Sequence, residues 1–309
     1  MKIFLAKRIW QTLILIFGAI TIVFIVLRAI PGDPALLMVG ANATPAEVDQ
    51  VRIDMGLNEP LWIQYFQHLW EVLQGDFGES WRLGGDALAI TLSRLPATLL
   101  LAFYAFVLTV ALGVPLGIYC SRRPGTIADR IVSVMSLTGQ ALPAFWVGIM
   151  LILVFSRWLN LVPAVPDGTF KTSILPAFTL ALPFIGWLAR LVRNGALEEI
   201  GKDYVRTAKA KGLAPGVIFY VHVMRNTLVP IVTALGFILG NFIADAVIIE
   251  NVFSWPGIGS LMVDSITNRD YAIAEATVIA ITVAYVIINL AVDLLYFAVD
   301  PRLTPETSS

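Results

Sequence analysis

The chain has 309 residues, of which 58% are hydrophobic and only 14% are charged, and its mean hydropathy is +0.80. Soluble domains are about half apolar and about a quarter charged, so this chain has too few charges to cover a water-exposed globule. Its formal net charge of −1 provides no general positive field for nucleic acid, and its single cysteine, Cys120, excludes a disulfide scaffold. The composition therefore predicts an integral membrane protein.

Six apolar segments are long enough to cross the hydrocarbon core as helices, which takes about 20 residues. They cover approximately residues 9–30, 95–120, 131–159, 174–197, 228–250 and 272–299. Proline and glycine interrupt several of them, which neighbouring helices tolerate by satisfying the freed backbone groups. We therefore predict an all-α polytopic protein with six transmembrane helices.

The first segment also has the basic start of a signal peptide, because Lys7 and Arg8 precede its apolar core. That core is long, and residues 28–34 contain no small-x-small cleavage site. We therefore expect this segment to stay in the protein as a membrane anchor.

Lysine and arginine are concentrated in alternate connections between the segments. The two short connections on the other side offer only Lys171 and Arg269, with Arg157 at a helix end. Because short cytoplasmic loops carry the excess of Lys and Arg, this bias predicts that both termini lie in the cytoplasm.

The region between the first two segments, residues 31–94, is long, acidic and predicted to be external. Apolar residues recur within it at helical spacing, namely Leu61, Tyr65, Phe66, Leu69, Trp70 and Leu73. They predict a small amphipathic helix, either folded on the outer face or lying in the membrane interface. The domain prediction is an N-terminal helix with this external region (1–94), a core of five transmembrane helices (95–303) and a cytoplasmic tail (304–309).

The sequence contains no convincing set of catalytic residues. Residues 195–203 resemble a phosphate-binding loop, but the spacing of the glycines differs and Asp203 replaces the hydroxyl that would bind magnesium. The two histidines, His68 and His222, are predicted on opposite sides of the membrane, so no histidine-based relay or metal cluster forms. We predict no catalytic residue, no metal site and no cofactor.

A few polar side chains interrupt the predicted spans. Gln140 in the third segment, and Asn241 with Asp245 in the fifth, are candidates for lining a translocation pathway. Hydrogen bonding between helices explains Gln140 and Asn241 equally well. The other intramembrane acid, Asp293, is predicted near the opposite face from Asp245, which argues against an aspartyl dyad. An ion-coupled secondary transporter would need charged groups at mid-membrane, and almost none are present.

The cytoplasmic connection at residues 194–227 contains a short predicted helix that begins at Asp203. Four residues share one predicted face, namely Tyr204, Thr207, Ala208 and Lys211. The small side chains of Ala208 and Ala210 allow another surface to approach closely, and Gly212 ends the helix. Such a helix either docks into a groove of another protein or rests on anionic lipid headgroups.

The segment Asp203-Tyr-Val-Arg-Thr-Ala-Lys-Ala-Lys-Gly212 resembles the cytoplasmic loop of binding-protein-dependent ABC importer permeases, in particular the dipeptide and oligopeptide family. The general motif of these permeases begins Glu-Ala-Ala and has a glycine four residues later. Arg206-Thr207-Ala208 and Gly212 occupy those positions in the manner of the peptide branch. Further similar segments follow in the family's order, at residues 31–34, 56–61, 64–65, 75–80, 250–259, 269–271 and 300–303.

The resemblance implies a type I ABC importer permease fold and a non-catalytic pore subunit in a prokaryotic cytoplasmic (inner) membrane. Its partners would be a second homologous permease, two ATP-binding subunits that hydrolyse ATP, an extracytoplasmic substrate-binding protein and membrane lipid, with no nucleic acid. The family carries mostly dipeptides and oligopeptides, and also glutathione, chelated nickel and other small solutes. We expect peptides, moved by alternating access.

The resemblance also assigns a role to the short cytoplasmic helix, which would be the coupling helix that contacts the ATP-hydrolysing subunit. The expected coupling residues are Asp203, Tyr204, Arg206, Thr207, Ala208, Ala210, Lys211 and Gly212. The external aromatic residues Trp62, Trp70 and Trp81 would form a docking surface for the binding protein, or else pack on the membrane surface.

Overall fold

A computed structural model describes residues 2–29, 34–39, 43–54, 56–163, 165–167 and 169–299. Over these residues the chain forms thirteen α-helices, and the only strand-like pairing is an isolated bridge between Glu79 and Asp86. In chain order the helices are α1 (Lys2–Ala29), α2 (Pro34–Val39), α3 (Pro45–Asp54), α4 (Leu61–Gln74), α5 (Ala87–Arg122), α6 (Ile127–Ala141), α7 (Ala144–Leu151), α8 (Phe170–Ile200), α9 (Asp203–Ala210), α10 (Pro215–Val217), α11 (Met224–Phe253), α12 (Ile258–Thr267) and α13 (Tyr271–Val299). Two π-helical segments, Ile152–Trp158 and Ile218–Val223, extend α7 and join α10 to α11.

The all-α membrane architecture is confirmed, but the count of six spans is only partly confirmed. Within the described residues, four helical stretches are long and apolar enough to cross a membrane, namely Ala87–Arg122, Phe170–Ile200, Pro215–Phe253 and Tyr271–Val292. The pair α6 and α7 with its π-helical extension makes a fifth if it is one broken span. The first predicted segment is helical as α1, where the apolar part with described side chains, Trp10–Val26, is shorter than a full span.

The third predicted span, at residues 131–159, is interrupted in the structure, as its proline and glycine residues led us to expect. The chain bends by 108° between α6 and α7. Leu142 has the extended conformation (φ −83°, ψ 132°), and Pro143 follows it and caps α7. A proline disfavours helical geometry in the residue before it and lacks an amide hydrogen, so the helix ends and restarts in another direction.

The chain divides into two compact units, residues 97–256 with 285–309 and residues 1–96 with 257–284. In the first of these, α8 packs against both α6 and α11 around a large apolar core. Small residues bring the helices close: a Cβ atom on Gly186 of α8 would lie 2.6 Å from Cα of Ser136 on α6.

In the other unit, the amphipathic helix predicted between the first two segments is confirmed as α4. It packs against α1 through the rings of Tyr65 and Phe24. The loop that follows α4 is joined to the turn before α13, because Ser80 Oγ donates a hydrogen bond of 2.5 Å to Asp270 Oδ2. The Trp81 indole nitrogen donates to the backbone oxygen of Arg269 at 3.3 Å.

Some sequence predictions fall outside the described residues. These are most of the segment at 31–34, the segment at 300–303, the tail at 304–309 and the side chain of Asp293.

Candidate coupling surface and pathway residues

The short helix α9 has well-defined ends. Asp203 lies in its first turn, where a negative charge is favourable beside the unpaired amide groups of the helix start. At the other end, the Gly212 amide donates to the Lys209 carbonyl at 3.0 Å and the Leu213 amide donates to the Ala208 carbonyl at 3.3 Å. This is the Schellman pattern, and Gly212 has the left-handed φ of +75° that the pattern requires. The predicted helix and its terminating glycine are confirmed.

The predicted docking face of α9 needs correction. Val205 and Ala208 are buried in the apolar core together with Phe219 and Val223, and Tyr204 is half-buried against the same core. Because Val205 is the apolar residue of this helix, its burial turns the helix so that Ala208, three residues later, also points inward. The exposed residues of the segment are Asp203, Arg206, Thr207, Lys209, Ala210, Lys211 and Gly212.

Glu199, near the end of α8, is a functional candidate that sequence reasoning missed. One carboxylate oxygen accepts hydrogen bonds from the Tyr204 hydroxyl at 2.7 Å and from the Asn226 amide at 3.3 Å. The other oxygen accepts from the Lys202 ammonium. The Glu199 side chain is 13% exposed, whereas that of its neighbour Glu198 is 77% exposed. Glu199 therefore connects α8, α9 and the start of α11.

The contacts of Glu199 also influence the groups around it. Burial raises the pKa of Tyr204, and the hydrogen bond to the Glu199 carboxylate raises it further because it stabilises the protonated phenol. The hydrogen bond to Glu199 raises the pKa of Lys202. The only signal in the sequence was the position of this acid, three residues before Lys202 and five before Tyr204. This local spacing does not predict the contact between Glu199 and α11.

A second polar cluster joins α6 to α8. Arg193 binds the buried Asp129 carboxylate through two nitrogens, with Nη2 donating to Oδ2 at 2.8 Å and Nε donating to Oδ1. The Gly125 amide donates to Oδ2 of the same carboxylate at 2.9 Å. Arg193 lies within α8 and therefore makes a two-pronged ion pair with α6.

The pathway candidates are placed on two helices. The Gln140 side-chain amide donates to its own helix, at the Ser136 carbonyl, over 3.1 Å. Asn241 likewise donates to the Phe237 carbonyl at 2.7 Å, and half-buried Asp245 lies one turn further along α11. None of the hydrogen bonds in the described part of the chain joins the three side chains to one another.

Comparison with known proteins identifies the family. Residues 113–305 match the family described as binding-protein-dependent transport system inner membrane component, and residues 1–102 match the N-terminal family of such membrane components. The chain belongs to this family of transport-system membrane components. It is 35% identical to the oligopeptide transport system permease protein AppB of Bacillus subtilis, over 98% of this chain and 99% of that protein. It is 32% identical to the dipeptide transport system permease protein DppB of Escherichia coli, over 97% and 98%.

Among solved structures, the family member is similar to a chain of the MetNI methionine ABC transporter in an inward-facing conformation. The TM-score is 0.55 and the identity is 18%, with 68% of this chain and 96% of that chain covered. At this identity the likeness shows a shared fold, which agrees with the importer permease fold that the sequence resemblance implied.

Proposed function

We propose that this chain is the non-catalytic, pore-forming permease subunit of an ATP-driven importer, and that it carries peptides across the cytoplasmic membrane by alternating access. The observation that carries the proposal is the polar helix α9, which is fixed by buried contacts at the ends of two long apolar helices. The family and the relatives named for dipeptide and oligopeptide transport support the same conclusion.

In this proposal α9 is the contact for an ATP-hydrolysing partner. Glu199 holds α9 to α8 on one side, and buried Val205 holds it to the π-helical segment before α11 on the other. A displacement of α9 therefore acts on α8 and α11 together, and these two helices pack against each other in the core. The outward residues Arg206, Thr207 and Lys211 remain available for directional contacts with the partner.

The complete importer, as we propose it, contains a second homologous permease, two ATP-binding subunits and an extracytoplasmic substrate-binding protein. Both termini of this chain then lie in the cytoplasm, on the side of α9. Gln140, Asn241 and Asp245 are proposed to line the pathway, since polar side chains within apolar helices are usually retained for transport or for helix contacts.

The test compares Gly212→Asp with Gly216→Asp. Both glycines are exposed and a Cβ atom on either would meet no atom within 4 Å, but only Gly212 has a positive φ. A side chain at φ +75° strains the end of α9, and the new carboxylate stands on its outward side. We expect Gly212→Asp to reach the membrane at normal level and to lose uptake of a labelled dipeptide, while Gly216→Asp keeps it.

The outcomes separate the parts of the proposal. Normal uptake by Gly212→Asp at normal protein level would exclude the coupling role of α9. Purification in mild detergent without any ATP-hydrolysing subunit would favour a lipid-surface role for α9 instead. Uptake of glutathione or chelated nickel, with no uptake of dipeptides, would replace the substrate class and leave the importer assignment intact.

A further inference from the structure

Helix α4 leaves a line of large apolar side chains exposed. Its outward stripe consists of the large apolar side chains Trp62, Phe66, Trp70 and Leu73, which are 63–70% exposed. These residues are spaced by four, four and three positions, so they form one continuous line along the helix. In water, such a helix would turn this line toward the protein.

The inward side of α4 carries two polar side chains, Gln64 and His68, beside the half-buried Tyr65 and Val72. Gln64 is only 8% exposed, accepts a hydrogen bond of 3.1 Å from Arg28 Nε on α1 and donates to the Leu57 and Glu59 carbonyls. One turn further, His68 Nε2 lies 2.5 Å from Glu275 Oε1 on α13. The protein therefore buries Gln64 and His68 and leaves the stripe of Trp62, Phe66, Trp70 and Leu73 to the surroundings, which is the arrangement expected when the surroundings are hydrocarbon.

The position of α4 along α1 indicates how deep it lies. The Tyr65 hydroxyl is 2.8 Å from Thr21 Oγ1, and the Tyr65 ring packs edge-on against Phe24 and Phe17 at centroid distances of 5.1 and 6.4 Å. At 1.5 Å per residue, Thr21 and Phe17 lie about 12 and 18 Å before the end of α1. Arg28 marks the end of the apolar part of α1, so Tyr65 contacts that helix at the depth of a hydrocarbon core about 30 Å thick.

The composition of α4 agrees with this depth. Among its fourteen residues the only acid or base besides His68 is Glu71. The loops on either side are different, with Asn58 and Glu59 before the helix and Asp76 and Glu79 after it. The charged residues therefore lie mainly on either side of α4, and the helix itself is nearly free of charge.

We propose that α4 lies inside the bilayer beside the C-terminal half of α1, with the stripe of Trp62, Phe66, Trp70 and Leu73 in contact with lipid acyl chains. The region after the first span then contains a membrane-embedded helix, and is not external throughout. Trp62 and Trp70 face lipid in this arrangement and are not part of a docking surface for a soluble protein. The proposal concerns α4 alone and does not depend on the transported substrate.

The experiment places a nitroxide label at single cysteines in the full-length chain, in a Cys120→Ser background, reconstituted in phosphatidylcholine nanodiscs. The test positions are Phe66→Cys and Trp70→Cys. Glu79→Cys, in the loop after α4, is the water-facing control, and Phe103→Cys, exposed near the middle of the long apolar helix α5, is the lipid-facing control. All four side chains are exposed, so the label displaces no packed residue.

The readout is relaxation of each label by oxygen, which partitions into hydrocarbon, and by a water-soluble nickel chelate, which does not. We expect oxygen to dominate at positions 66 and 70, as at 103, and the chelate to dominate at 79. Dominance of the chelate at 66 and 70 would show a water-facing surface and overturn the proposal. Exclusion of both agents from these two positions would show that protein covers the stripe, and would also overturn it.

Discussion

Replacing Glu199 with glutamine removes one negative charge at the junction of α8, α9 and α11 and keeps the length of the side chain. The Tyr204 hydroxyl then donates to a neutral acceptor, and the pairing with Lys202 loses its charge. We expect α9 to stay folded but to open locally more often, because its attachment to α8 is weakened.

The magnitude follows from the contacts. A hydrogen bond to a charged group contributes about 1.5–3 kcal/mol and one between neutral groups about 0.5–1.5 kcal/mol, so the Tyr204 bond weakens by about 1–1.5 kcal/mol. The Lys202 contact adds little, since its ammonium is half exposed. A loss of one to two kcal/mol changes a local equilibrium about 5- to 30-fold.

Hydrogen exchange measured by mass spectrometry on residues 203–212 reports this local opening directly. Glu198→Gln is the matched control, because that side chain is 77% exposed and lies 3.9 Å from the Lys202 ammonium. Tyr204→Phe removes the hydroxyl from the other partner and should accelerate exchange similarly, with less than additive effect in the double variant. Equal exchange in the Glu199→Gln and Glu198→Gln proteins would refute the idea that Glu199 anchors α9.

Two further predictions concern the contact between α6 and α8. The Cβ atom added by Gly186→Ala would lie 2.6 Å from Cα of Ser136. We expect this overpacking to destabilise the protein by about 1–3 kcal/mol and therefore to lower its unfolding temperature in detergent. Gly139→Ala, whose Cβ would be 3.6 Å from the nearest atom, should be neutral, and equal shifts for the two variants would contradict the close approach. Asp129→Asn should destabilise the protein by about 2–3 kcal/mol. This is less than the loss expected when a fully buried ion pair is broken, because the Arg193 side chain is partly exposed to solvent. Thermal unfolding checks this as well, and an unchanged midpoint would show that the ion pair contributes nothing.

Local features were predicted correctly because local physics determines them. The apolar segments follow from their length against the thickness of the bilayer, and α9 ends where a glycine can take a positive φ. The only sequence signal for the bend after Leu142 was a proline. A proline indicates that a helix is interrupted, but the packing of neighbouring helices decides the outcome. The helix continues through Pro183 in α8, whereas the chain turns by 108° between α6 and α7.

Contacts between distant residues were not predictable in the same way. Ala208 was expected to face a partner and instead packs in the chain's own core, since the rotation of α9 depends on where Val205 can be buried. Glu199 is hydrogen-bonded to Asn226, which lies 27 residues away in the sequence, and Asp129 is paired with Arg193, which lies 64 residues away.

The sequence by itself therefore determined that this is a helical membrane protein, which segments are helical, and which family its motifs resemble. The tertiary structure decided which side of each helix meets protein. The reason is physical: in water an apolar stripe shows which side is inward, but in a bilayer both the lipid-facing and the protein-facing sides of a helix are apolar. In helix α4, for example, the amphipathic pattern alone would turn Phe66 toward the protein, whereas the structure buries Gln64 and exposes Phe66.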